Sequence, residues 1–202
     1  KPEVDTYLLV WTTTPWTLPS NLALAINPKL IYSYIKDKSD GTVYLLAKEL
    51  ISKFFKSEED YEIVNEVLGK ELEGKKYEPL FNYFNYTENA FQFILGDFVT
   101  AEDGTGIVHT APAFGEDDYL VCRNYKIPTI NPVDEKGLFK EEVKDFKGKF
   151  VHDTNKEIID FLKKENKVVL VKKIEHEYPF CYRCETKLIY RAIPAWFIDI
   201  QK

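Results

Sequence analysis

The 202-residue sequence has no methionine and only three cysteines, three histidines and nine glycines. Without an initiating methionine, and running from Lys1-Pro2-Glu3 to Ile200-Gln201-Lys202, it is expected to be a segment of a larger protein. No apolar run approaches the ~20 residues a membrane-crossing helix requires, and no charged, apolar, cleavable leader is recognisable, so no membrane partner is expected. Cysteines in odd number, two of them in Cys181-x-x-Cys184, do not make a disulfide framework. They suit a reducing compartment, and a cytoplasmic location is expected. A net charge of −6, from 27 basic and 33 acidic residues, lacks the clustered cationic excess needed to wrap a duplex, although a small nucleic-acid end can still dock. Lysines bunch around positions 70–76, 144–149 and 163–173 and read as solvated faces balanced by nearby Glu and Asp. With 45% hydrophobic, 15% aromatic and 30% charged residues, the composition is that of a soluble globular chain. Its length corresponds to one large domain, or one domain with appendages, able to bury roughly 70% of its unfolded surface.

Thr6 to Thr14 is a β-branched and aromatic run too short for a helix and is expected as a buried strand ended by Pro15. Leu22 to Ile26 is a second apolar run, and 31–36 with 42–47 flank Ser39-Asp40-Gly41 as a hairpin. Leu50, Ile51, Phe54 and Phe55 predict an amphipathic helix over 48–56, and Tyr61 to Leu68 alternates as a strand. Residues 69–80 look like a connector. Strands are expected at 91–100 and 106–110 around a glycine turn, and an acidic-started helix at 116–125. A further helix is expected at 154–165 with Asp153 or Thr154 as cap, and a strand at 167–174. Short strands interspersed with helices, without strict alternation, predict an α/β chain with a mixed, β-barrel-like body surrounded by short helices. From Tyr178 the composition changes, and this stretch is expected to be a tail packing on something outside the chain.

Two segments are richer in chemistry than a core requires. In Trp11-Thr12-Thr13-Thr14-Pro15-Trp16-Thr17-Leu18-Pro19-Ser20-Asn21, consecutive hydroxyls run off a strand into a doubly proline-pinned loop that ends on an amide. An ordinary capped strand end has the same composition. In the second segment, Gly104 to Tyr119, glycines permit close backbone approach, a strand delivers His109 to its end, and Asp118 follows at a helix start. A satisfied histidine and helix-dipole acids at Asp117 and Asp118 fit the same spacing.

These two segments, together with Gly74 to Phe81 and the closing Tyr-Pro-Phe-Cys-Tyr-Arg-Cys and Trp-Phe-Ile pieces, resemble the editing domain inserted in the Rossmann catalytic core of isoleucyl-tRNA synthetases, in the class I aminoacyl-tRNA synthetase family. The likeness spans nearly the whole chain. Thr-Thr-Thr-Pro-Trp-Thr is similar to the isoleucine type, where valyl and leucyl relatives have Thr-Thr-Arg-Pro. The His-x-Gly-His and Lys-Met-Ser-Lys-Ser signatures are missing, so amino-acid activation is not expected here. The resemblance implies an editing domain over 1–177 and a tail over 178–202 leading back to the catalytic domain.

It also implies a reaction. A pocket selecting isoleucine over valine gains only ~1–3 kcal/mol from one methylene, this synthetase being the standard illustration of that limit, so a second site must hydrolyse the error. By resemblance, Asp118 holds the substrate α-ammonium, and His109 lies against the substrate side chain as part of a size sieve, not as general base. Thr12, Thr13 and Thr14 contact the terminal adenosine, its ribose hydroxyl and the attacking water, while Trp16 and Asn21 complete the wall and the adenosine site. The implied partners are the aminoacylated 3′ end of tRNA(Ile), its valine or valyl-adenylate, and the parent catalytic domain, with the chain a monomer. No cofactor or metal is expected in this segment, ATP and zinc belonging to the parent enzyme. Cys181 and Cys184 are half of a tetrahedral zinc site, with companions implied elsewhere, or simply two thiols in a turn. Two other readings remain open: a module that binds the aminoacyl-adenosine end with little turnover, and a structural insert with a decayed site.

Overall fold

The computed structural model describes residues 5–172, 178–196, 198 and 200. The strands are β1 (Thr6–Leu8), β2 (Ala23–Ile26), β3 (Ile31–Asp37), β4 (Val43–Ala47), β5 (Tyr61–Leu68), β6 (Gln92–Leu95) and β7 (Ile107–Thr110). Two α-helices, α1 (Glu116–Asn124) and α2 (Asn155–Lys164), and several 3-10 turns complete the fold. One sheet has the order β1-β4-β3-β5 and the other β6-β2-β7, with both parallel and antiparallel pairs. The body is mixed α/β, as expected, and the two sheets do not close into a barrel among the described residues.

β2 partitions the interior. All four of its residues are buried, and period-two alternation sends Ala23 and Ala25 to one core and Leu24 and Ile26 to another. The first core, with Trp16, Phe84, Ile94, Phe146 and Ile158, is covered by α1, α2 and the aromatic connector; the second, with Tyr32, Leu45, Phe93 and Ile107, joins the sheets. The join is polar as well as apolar. Tyr32 Oη donates to Gly106 O at 2.7 Å, and Ala47 N donates to Thr105 O at 2.9 Å. This welds the start of β7 to the larger sheet.

Several elements differ from the sequence expectation. The strand expected over 6–14 ends at Leu8, because the chain then leaves the larger sheet and crosses to the smaller one. Leu9 N still donates to Leu45 O, but Trp11 already bridges Val108. Thr12 to Thr14 lie beyond this crossover, where Thr14 N donates to Thr12 Oγ1 at 3.0 Å and the chain enters a 3-10 turn at Pro15–Ser20. The helix expected over 48–56 is a 3-10 turn, Lys48–Lys53, too short for helical propagation to stabilise. The strand expected over 91–100 stops at Leu95: Gly96 N makes the last ladder bond, to Ile26 O, and the chain then turns, with Val99 N donating to Gly96 O. Thr154 takes the N-cap position of α2, one of the two expected, but without a side-chain cap bond: a 3-10 turn, Val151–Thr154, runs into the helix, and Thr154 Oγ1 donates backward to Val151 O. No strand forms over 167–172, where Val169 to Val171 are exposed; 173 and 174 lie outside the described residues. The boundary expected at 177 lies outside them too. Part of the tail docks on the chain itself. Phe180 bridges Lys187, Ala192 N donates to Ala113 O at 2.7 Å, and Asn131 Nδ2 donates to Ala192 O at 2.9 Å. Farther on, Trp196, Ile198 and Ile200 are exposed.

Gly106 has φ +75°, and a Cβ there would lie 2.4 Å from Ala47 Cβ, whereas Gly41, at φ +80°, has open space around it. Gly41→Ala is expected to cost about 1–2 kcal/mol in urea unfolding, the left-handed strain alone. Gly106→Ala is expected to cost about 1–3 kcal/mol more, because the junction must open to admit the methyl group.

Candidate functional site

A cavity of about 480 Å³ opens where the Thr12–Thr14 loop, the end of β7 and the start of α1 meet. Each positioning element follows from local chemistry. Proline at 15 and 19 sets the 3-10 turn after the threonines, and Trp16 N is held by Asn155 Oδ1 at 2.9 Å, at the first residue of α2. β7 pairs with β2 so that His109 lies opposite Leu24. Gly115 begins α1 with three acids in the first turn, where the helix dipole favours negative charge.

Asp118 is the third of those acids. Its Oδ2 accepts from Ala111 N at 2.7 Å, and its Oδ1 makes no hydrogen bond to the described residues. The carboxyl folds back over the helix start: a Cβ at Gly115 would lie 3.1 Å from its Cγ. Burial raises its pKa from 3.8 to about 6, against the lowering effect of the Ala111 amide, and neighbouring Asp117 adds to the rise. The carboxylate is therefore ionised at neutral pH but under-solvated, which is the condition for attracting a cation.

His109 is 7% exposed, and burial lowers its pKa from 6.5 to about 4, so the ring is neutral. Its Nε2 lies 3.0 Å from Thr17 Oγ1 and its Nδ1 lies 2.8 Å from Asn21 Nδ2. Thr17 Oγ1 spends its one proton on Thr14 O at 2.8 Å and can only accept from the ring. The Thr17–His109 pair is thus the reverse of a nucleophile and its base. Cys122, pushed up to about 12 by burial and by Asp118, stays a thiol and offers no nucleophile either.

The structure brings Thr12, Thr13, Thr14, Trp16, His109 and Asp118 to this one cavity. Trp16 is buried, edge-on to Phe114 at 4.8 Å, so it is wall and core at once. Asn21 is not on the wall. It lies behind His109, with Nδ2 also donating to Ala23 O and Oδ1 accepting from Tyr77. Sequence reasoning missed Thr17, which stood inside the threonine motif, and the part of the wall made by Tyr178, Leu188 and Tyr190. It also missed Tyr77, a connector residue with no local signal. Tyr178 packs edge-on to His152 at 5.6 Å, and its Oη donates to Leu188 O at 3.0 Å, fastening the tail beside the cavity. His176 lies outside the described residues. Cys181 and Cys184 are free thiols at the hairpin turn. No group of three or more His, Cys, Asp or Glu gathers there among the described residues. Among the described residues no helix is long and apolar enough to cross a membrane.

No family model matches the sequence. Individual proteins do. It is 45% identical over 197 residues to the isoleucine–tRNA ligase of Chlamydia pneumoniae, covering 96% of this chain and 19% of that protein. It is 48% identical over 203 residues to that of Bdellovibrio bacteriovorus, covering 99% of this chain and 19% of the relative. To the cytoplasmic isoleucine–tRNA ligase of Mus musculus it is 45% identical over 206 residues, covering 98% and 16%. The chain thus spans less than a fifth of the length of these curated relatives. Among solved structures, the editing domain of Plasmodium falciparum cytosolic leucyl-tRNA synthetase is similar with a TM-score of 0.68 at 13% identity, covering 85% of this chain and 81% of that one. GlLeuRS-CP1 gives 0.65 at 15%, covering 87% of each. With near-half identity along almost all of its length, and a backbone that superposes on synthetase editing domains, the chain belongs to the isoleucyl-tRNA synthetase family as a segment with the editing-domain fold.

Proposed function

We propose that this chain hydrolyses the ester of mischarged valyl-tRNA(Ile), with valyl-adenylate as a second substrate of the same cavity. The observation that carries the reading is Asp118, an under-solvated carboxylate on the cavity wall with Oδ1 left unpaired by the described residues. A substrate α-ammonium supplies the missing partner. It offers the charge-assisted hydrogen bonds that burial denies, and it lowers the carboxyl pKa as it binds. The relatives named isoleucine–tRNA ligase, and the editing-domain fold, support the same reading.

The remaining roles follow from what each wall group can do. The exposed Thr13 hydroxyl and its neighbours on Thr12 and Thr14 offer donors and acceptors to the terminal adenosine and to a water aimed at the ester carbonyl. Attack by that water is helped by positioning and by a hydroxyl of the terminal ribose. His109, neutral with both nitrogens committed, offers a rigid ring against the amino-acid side chain and serves as a sieve, not a base. The tRNA acceptor end and the remainder of the synthetase are the partners. The chain works as a monomeric insert in the cytoplasm, which agrees with the name of the mouse relative.

In deacylation assays, Asp118→Asn is expected to lower kcat/KM for valyl-tRNA(Ile) by about 10–100-fold, the loss of one charge-assisted bond. Unchanged hydrolysis would remove the assignment. The pH profile follows from the same group: kcat/KM falls as pH drops through about 6, where the Asp118 carboxyl becomes neutral. Stability moves the opposite way to activity. Because the folded-state pKa stands above the unfolded value, ionised Asp118 subtracts stability that is fully present below pH 3.8 and lost as pH rises through about 6. Asp118→Asn relieves up to about 3 kcal/mol of this penalty and is expected to raise Tm by a few degrees at pH 7 but not at pH 3.5, as read by thermal melts.

A further inference from the structure

We infer that Asn21, which ends the 3-10 turn behind the cavity wall, is a positioning residue that holds the His109 ring in its Nε2–H tautomer, with the Tyr77 hydroxyl bonding the amide oxygen from the connector between β5 and β6. Tyr77 Oη donates to Asn21 Oδ1. Asn21 Nδ2 donates to His109 Nδ1 at 2.8 Å and to Ala23 O at 2.9 Å. His109 Nε2 meets Thr17 Oγ1 at 3.0 Å, and Thr17 Oγ1 donates to Thr14 O at 2.8 Å. Every link in this series has a direction imposed at its ends. Thr14 O can only accept, so the Thr17 hydroxyl proton points to it and a Thr17 lone pair faces Nε2. Ala23 O can only accept, so the Asn21 amide presents its NH₂ to Ala23 and to the ring, and its carbonyl to Tyr77. A ring that receives an N–H at Nδ1 and faces a lone pair at Nε2 carries its proton on Nε2.

The Tyr77 hydroxyl is the one donor that makes this amide orientation fully bonded. Without it, Asn21 Oδ1 loses its one donor among the described residues, but turning the amide would give up both N–H bonds and set its carbonyl against Ala23 O, so the orientation holds. Two aromatic contacts keep the phenol ring in place independently of its hydroxyl, edge-on to Phe91 at 6.0 Å and tilted to Phe93 at 6.3 Å. Burial keeps the hydroxyl protonated and so a donor.

Tyr77→Phe removes the hydroxyl and leaves those ring contacts. With ¹⁵N-histidine in the 202-residue chain, long-range ¹H–¹⁵N correlation at pH 7 reads the tautomer directly, the His109 signals being assigned with His152→Gln and His176→Gln variants. The parent is expected to show Nδ1 at the unprotonated end of the imidazole range and Nε2 at the protonated end. In Tyr77→Phe the two nitrogens are expected to keep the parent pattern, because Ala23 O still orients the amide. In Asn21→Asp, whose carboxylate can only accept, Nδ1 is expected to become protonated. A parent ring protonated on Nδ1, or an Asn21→Asp ring still protonated on Nε2, would overturn the inference. The consequence for catalysis rests on the editing reading: kcat for valyl-tRNA(Ile) is expected to fall about ten-fold in Asn21→Asp, the size of one lost hydrogen bond, with KM little changed. Because the spectra need no substrate, expected tautomers beside a parent without deacylation would remove the editing reading and support the role of Asn21.

Discussion

Desolvation at one end of the smaller sheet is the constraint from which the rest follows. β2 is buried on both faces, and its partner β7 carries a histidine into the same dry environment. A buried imidazole that cannot afford a charge must be neutral, and both of its nitrogens must still be bonded. Asn21 and Thr17, on either side of the 3-10 turn, meet that demand. A few residues on, the same dryness lifts the Asp118 pKa, because only one of its oxygens is compensated by a backbone amide. One carboxylate is left wanting a cation beside one histidine that wants nothing. On the proposed function, this asymmetry decides which group engages a ligand.

The fold serves that asymmetry by fixing where β7 begins and where it ends. At its start, Tyr32 and Ala47 hold Gly106 and Thr105 against the larger sheet. At its end, Ala111 N turns to Asp118 and Ala113 O receives the tail. The threonine loop is fastened separately, through Asn155 at the head of α2. Three independent attachments converge on one cavity, so its width depends on contacts remote from it. The proposed selection between side chains that differ by one methylene would require such rigidity, because the margin is only ~1–3 kcal/mol.

How much of this was legible depended on the range of the interaction involved. The hairpin around Ser39-Asp40-Gly41 was readable, because Gly41 takes a positive φ and the flanking strands alternate locally. α1 was readable from its acidic first turn. The two motifs that form the cavity were also visible as unusual stretches, and most of their named residues do meet. Thr12 to Thr14 misled as a strand because β propensity registers side-chain branching and not a chain that changes sheets after Leu8. Asn21 is expected on the wall by resemblance alone, whereas its partner is a histidine 88 positions away. Tyr77 lies in the stretch 74–81 noted only for its resemblance, and its bond to Asn21, 56 positions away, has no local signal. The tail docks partly on Ala113 and Asn131 of the chain itself, while Trp196, Ile198 and Ile200 stay exposed.

The central claim is that the cavity recognises an ammonium group through Asp118. Isothermal titration of the chain with a non-hydrolysable valyl-adenosine amide, and with the same compound lacking its α-amino group, tests it without relying on turnover. The account predicts that the amine-bearing compound binds at least about ten-fold more tightly at pH 7, and that the difference vanishes in Asp118→Asn. Equal affinity of the two compounds for the parent chain would contradict it.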